Sequence, residues 1–227
     1  RLSGAREGNP LAASPDADAP RALLALVRDG EQRQSKRGTL GGRPSTDLEA
    51  AIGGRDLTPR QLTVDQSNTA LVYGERLFMK IYRRFEPGEN PDLEMVRHLA
   101  SAGFPHIPAF GGALTYQRGN DPAGSVAMVQ SLVTDQVNGW EHAIDGLQRY
   151  FDRVDTVVQG APSAAPGTPP PEGIADEIGT YLTWARKLGT RTGQMHLALA
   201  SANGNRAFDP EPFTPESVAR LVDGMTG

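Results

Sequence analysis

The sequence predicts an α+β fold built on an antiparallel sheet, and three observations predict it. A run of β-formers from Thr69 to Tyr73 turns at Gly74 into a second run, Arg76 to Tyr82, whose side chains alternate. A helical pattern opens at Asn90, and two more strand-like runs, Gly111 to Gln117 and Val126 to Val133, flank the turn-forming Asn120-Asp121-Pro122-Ala123-Gly124. Beyond Val133 the apolar spacing becomes helical, so a sheet-based part precedes a helical one.

In chain order, Arg1 to Pro20 is rich in small residues, Pro and Gly, the composition of a disordered or linker segment. Ala22 to Arg28 is too short an apolar run to decide between helix and strand. Asp29 to Pro59 is glycine- and arginine-rich with sparse apolar residues, which reads as turns and weak strands. The hairpin follows, with Gly74 supplying the permissive φ of an expected two-residue turn. Leu77, Met79 and Ile81 share one face of its second strand, and Phe78, Lys80 and Tyr82 share the other.

A lysine between two aromatics on a half-buried face is either a snorkelling edge-strand lysine or a cation held for a purpose. The next element bears on that choice. Asn90 suits an N-cap, Pro91 the first helical position, Leu93, Val96 and Ala100 recur at helical spacing, and Gly103 with Pro105 ends the helix. Glu94 lies in its first turn, where the macrodipole favours any carboxylate. In protein kinases a strand lysine paired with a helix glutamate orients the α- and β-phosphates of ATP, and Lys80 with Glu94 has that layout.

No G-x-G-x-x-G precedes the lysine and no Walker A run occurs. Asp65-Gln66-Ser67-Asn68-Thr69 stands in that place, either as a nest of amides and hydroxyls over phosphates or as an ordinary turn. Arg83 and Arg84 point opposite ways on an extended segment and read as solvated charges.

In the second part, Trp140, Ile144, Leu147 and Phe151 form an amphipathic helix whose stripe is expected to be core. Gln159 to Gly173 is Pro-rich without hydrophobic period, an expected exposed loop. Ile174, Ile178, Tyr181, Ala185, Leu188, Thr192, Met195 and Leu199 then repeat at spacings of four and three, which predicts one long helix of ~40 Å. His98, His106, His142 and His196 form no metal-ligand pair and read as structural or exposed.

Composition excludes more than it identifies. A net charge of −4 gives no electrostatic case for nucleic acid. Without cysteine there is no disulfide or thiolate metal site. No apolar run reaches the roughly 18 residues of a membrane span and no signal peptide is visible, so a cytoplasmic protein is expected.

The run from Val64 to Leu99, then GFPHIPAFGGAL, VAMVQSLVTDQVNGWEHAIDGLQRYFDRV, LGTRTGQMHLALAS and FDPEPFTP, resembles bacterial maltokinase, free-standing or fused to the C-terminus of trehalose synthase. The resemblance implies an aminoglycoside-kinase-like bilobal fold: a linker at 1–20, a cap-like subdomain at 21–60, an ATP-binding lobe at 61–133 and the first part of a helical C-terminal lobe at 134–227. It implies ATP with Mg²⁺ as cofactors and phosphorylation of maltose to maltose 1-phosphate for α-glucan (glycogen) synthesis, with trehalose synthase as a fused or bound partner. By position, Lys80 matches the phosphate lysine, Glu94 its helix partner, Gln66, Ser67, Asn68 and Thr69 the phosphate loop, and Gln130, Ser131, Leu132 and Val133 the adenine hinge.

Phosphoryl transfer also needs a base-like Asp and Mg²⁺ ligands. The family's His-Gly-Asp and Asp-Phe-Glu segments do not occur here, so the chain, which starts at Arg1 and stops at Gly227, is expected to be a fragment without catalytic residues and inactive alone. Two alternatives stay open: the ATP lobe of another sugar or aminoglycoside kinase, and a non-catalytic nucleotide-binding or assembly module.

Overall fold

The computed structural model describes residues 18–54, 57–62, 68–134, 137–157, 178–201 and 204–226. Gln66 and Ser67, most of the expected N-terminal linker and the Pro-rich run from Gln159 to Gly173 lie outside the described residues.

Helix α1 (Asp18–Asp29) resolves the ambiguous run at Ala22; Asp18 in its first turn and Arg28 in its last both complement the macrodipole. Strands β1 (Gln32–Ser35) and β2 (Gly38–Pro44), helix α2 (Leu48–Ile52) and strand β3 (Pro59–Leu62) follow. Then come β4 (Asn68–Tyr73), β5 (Leu77–Tyr82), helix α3 (Pro91–Ser101), β6 (Phe110–Gln117) and β7 (Gly124–Ser131). The strands form one sheet in the order β1-β2-β6-β7-β5-β4-β3, and every neighbouring pair is antiparallel.

That order bears on the expected cap at 21–60. β2 hydrogen bonds to β6 from Thr39↔Gln117 to Pro44↔Gly112, and β3 pairs with β4, so the weak strands of this region extend the lysine-bearing sheet at both edges. Glycine in β2 has a packing reason. A Cβ on Gly42 would lie 1.8 Å from the Leu26 carbonyl oxygen, because α1 rests directly on the strand.

The β4–β5 register ends at Tyr73↔Leu77, which makes the turn three residues rather than the expected two. Gly74 takes φ 57° there, and Arg76 is drawn out of the strand by hydrogen bonds from its amide to Tyr73 and from its guanidinium to the Ala51 carbonyl.

The period-two alternation sorts the sheet into two faces. Leu71, Tyr73, Leu77, Met79, Ile81, Leu114 and Val129 bury one face against Val27 of α1 and Leu48 and Ile52 of α2. Each such side chain contributes about 1.5–3 kcal/mol by leaving water. Tyr82, Ala113 and Met128 bury part of the other face beneath Leu93 and Val96 of α3. Lys80 lies on this second face.

Helices α4 (Gly139–Val157), α5 (Tyr181–Leu199) and α6 (Pro215–Thr226) follow, with a 3-10 turn at Arg206–Phe208 before α6. α5 measures about 28 Å at 1.5 Å per residue, shorter than expected, because Gly179 at φ 63° interrupts the pattern and Ile174 lies outside the described residues. The α4 stripe corrects the expectation of core: Trp140 is 76 % exposed and Phe151 59 %. α4 meets α5 in its first half, where His142 faces Tyr181 and Trp184 and where Gly146 leaves room for the Tyr181 ring. No helix among the described residues is long and apolar enough to cross a membrane.

Candidate functional site

Lys80 sits in the interior of the sheet, opposite Ala70 of β4 and Met128 of β7. An interior strand fixes its backbone on both sides, so only the side chain has freedom. Its Nζ donates to Asp92 Oδ2 at 2.8 Å and stands 5.9 Å from the centroid of the Tyr82 ring. The Tyr82 hydroxyl donates to the same Oδ2 at 3.0 Å. Burial first, and then the Asp92 charge, push this hydroxyl far above the ordinary tyrosine range, which keeps it a donor. The lysine and aspartate side chains remain 29 % and 38 % exposed, so the pair is held without being sealed from solvent.

Helix α3 sets the aspartate. Asn90 is extended and accepts from the Asp92 amide at 3.0 Å, while its own amide donates to Ser125 Oγ on β7 at 2.9 Å. Pro91 occupies N1 as the sequence predicts. At the other end Gly103 (φ 68°) and Phe104 donate back to Ala100 and Leu99, a Schellman closure.

Lys80 therefore pairs with Asp92, and the expected pair with Glu94 is not formed. Residues two apart on a helix point about 200° apart, so the two carboxylates cannot both face the sheet. Glu94 instead meets Asn205 Nδ2 at a long 3.5 Å. The missed aspartate had a signal: it stands four residues before Val96, on the apolar side of the helix.

The other expected site residues divide by face. Asn68, opposite Tyr82, shares the lysine face. Thr69, opposite Ile81, is on the far face, where its hydroxyl accepts from Arg83 Nε at 3.3 Å. Arg83 thus belongs away from Lys80. Gln130, opposite Phe78, shares the lysine face. Ser131 is pinned to Ala109 through both its amide and its hydroxyl, and the Leu132 amide donates to the Arg76 carbonyl at 2.6 Å. Val133, 47 % exposed, follows that anchored strand end.

Lys80, Asn68 and Gln130 present a cation and two amides along one sheet face, a donor set that suits a nucleotide polyphosphate. Among the described residues no group of three or more His, Cys, Asp or Glu lies together in a metal-holding arrangement. A depression of about 280 Å³ at the β1–β2 hairpin and another of about 150 Å³ beside Arg84 to Pro91 both exclude Lys80.

No family model matches the chain. It is 29 % identical over 217 residues to a glucosamine kinase of Streptacidiphilus jiangxiensis, covering 86 % of this chain and 44 % of that protein. It is 29 % identical over 85 residues to a glucosamine kinase of Mycolicibacterium smegmatis, covering 37 % of this chain and 21 % of that protein. The chain thus spans less than half the length of the curated relatives it matches. Among solved structures, a glucosamine kinase in complex with glucosamine, ADP and inorganic phosphate superposes with a TM-score of 0.51 at 21 % identity, over 84 % of this chain and 49 % of that one. These relatives are glucosamine kinases, and what they support for this chain is the coarser statement of a kinase-like α+β fold like that of sugar kinases.

Proposed function

We propose that this chain is the nucleotide-holding part of an ATP-dependent sugar kinase, with a hexosamine as its first candidate acceptor. The observation that carries the reading is the part-exposed Lys80 side chain, its ammonium clamped at 2.8 Å by Asp92, on the sheet face that α3 only partly covers. The similarity to glucosamine kinases, one of them in complex with ADP, supports it independently.

Lys80 would bear on the α- and β-phosphates, Asn68 would lie beside them at the β4 end, and the strand end at Gln130 to Val133 would lie against adenine. ATP would pass its γ-phosphoryl group to a sugar hydroxyl, leaving ADP and a sugar phosphate. That transfer also requires a base for the acceptor hydroxyl and ligands for Mg²⁺.

The test is ADP release by the intact protein with glucosamine, maltose and an aminoglycoside as acceptors, alongside Lys80→Met. Glucosamine-dependent release that Lys80→Met abolishes is expected. Exclusive activity on maltose would return the acceptor to the maltokinase reading, and unchanged turnover in Lys80→Met would overturn the role of the lysine.

A further inference from the structure

We infer that the turn from Asn205 to Phe208 is a clamp on α3, and that Phe208 and Asn205 are positioning residues for the Lys80–Asp92 pair. The inference rests on the reading of Lys80 as the nucleotide lysine.

Helix α3 has two occupied sides. Asp92 and Val96, four apart, face the sheet; Glu94 and His98, also four apart, face the turn. His98 is only 4 % exposed, and its ring lies on that of Phe208 with centroids 3.9 Å apart and planes at 16°. Its Nε2 has no hydrogen-bond partner among the described residues, so the aromatic face is what it gains from this site. Asn205 builds the turn and touches the helix at once: its Oδ1 accepts from the Ala207 amide at 3.1 Å while its Nδ2 reaches Glu94.

The clamp joins distant parts of the chain. Asn205 and Glu94 are separated by 111 positions, and the turn follows α5, which itself packs on α3. A helix of eleven residues moves as a rigid body, so rotation at His98 carries Asp92 with it. An aromatic plate from the helical part therefore fixes the angle at which α3 offers its carboxylate to the strand lysine.

The experiment measures ADP affinity of the intact protein by calorimetry in a double-mutant cycle. Phe208→Ala is expected to weaken ADP about fivefold, Phe208→Tyr to restore it, and Phe208→Ala added to Asp92→Asn to cost less than about twofold more. An equal loss in both backgrounds, or none in a folded Phe208→Ala protein, would overturn the clamp. If Phe208→Ala does not fold by circular dichroism, Asn205→Ala carries the same cycle with the same two readings. Lys80→Met separates the levels: retained ADP affinity there removes the lysine reading itself, whereas lost affinity with additive Phe208 removes the clamp alone.

Discussion

Replacing Asp92 by Asn changes one charge and tests which carboxylate governs Lys80. The side chains of the pair are 29 % and 38 % exposed, so solvent screens their attraction and its share of stability is about 0.2–1 kcal/mol. Asparagine keeps an oxygen that can accept from the Tyr82 hydroxyl, and the melting temperature should fall by only a few degrees. Asp92→Leu should cost more, about 1–3 kcal/mol, because it strands that hydroxyl on a residue only 8 % exposed.

Nucleotide affinity is the larger readout. A free lysine side chain holds about 1.5–2 kcal/mol of rotamer entropy. If Asp92 removes about half of this before ligand arrives, Asp92→Asn weakens ADP by about fivefold. Glu94→Gln, which keeps an acceptor for Asn205, should cost under about twofold. Calorimetric titration of ADP into the intact protein, with a thermal melt of each variant, decides it. Wild-type affinity in Asp92→Asn, or a larger loss in Glu94→Gln, would refute the assignment of the lysine to Asp92.

Further expectations follow from the same geometry. Asn90→Ala removes the cap on the Asp92 amide and should cost about 1 kcal/mol in urea denaturation, with a parallel loss of ADP affinity. Gly42→Ala should destabilise by about 1–3 kcal/mol, since its Cβ lands 1.8 Å from the Leu26 carbonyl oxygen; an unchanged urea midpoint would mean that α1 does not rest on β2. Tyr73 and Tyr82 both have hydroxyls whose ionisation burial pushes upward. The unfolded chain releases those protons near pH 10 while the folded one keeps them, so stability is whole below about pH 10 and falls above it by about 1.4 kcal/mol per pH unit for each group. Tyrosinate absorbance should show the two ionising together with unfolding, and early titration of either in the folded protein would contradict the burial.

Local chemistry made part of this fold readable. The Asn90-Pro91 start and Gly103 stop of α3 act through groups within a few residues, and so does the alternation that puts Lys80 opposite Met79 and Ile81. Long-range pairing was not readable. Nothing in the glycine-rich run before Pro44 announces β6, some seventy residues on, as its partner, and the contact that requires Gly42 exists only once α1 has docked. The α4 stripe shows the reverse: its period correctly predicts an amphipathic helix, but a period cannot say what covers the stripe.

The exchange of Glu94 for Asp92 has a physical cause that the layout of kinases conceals. A glutamate reaches farther, and from the first turn it satisfies the macrodipole wherever it points. What decides the partner is the azimuth of the helix, and that is set by apolar residues. Leu93 and Val96 must lie on Tyr82, Ala113 and Met128. Once they do, the position four before Val96 faces the lysine and the position four before His98 faces the turn. The shorter carboxylate suffices at the first because Asn90, bonded to Ser125 on β7, brings the helix start against the sheet. Two acids in one helical turn thereby do separate work, one toward the strand lysine and one toward the helical part of the chain.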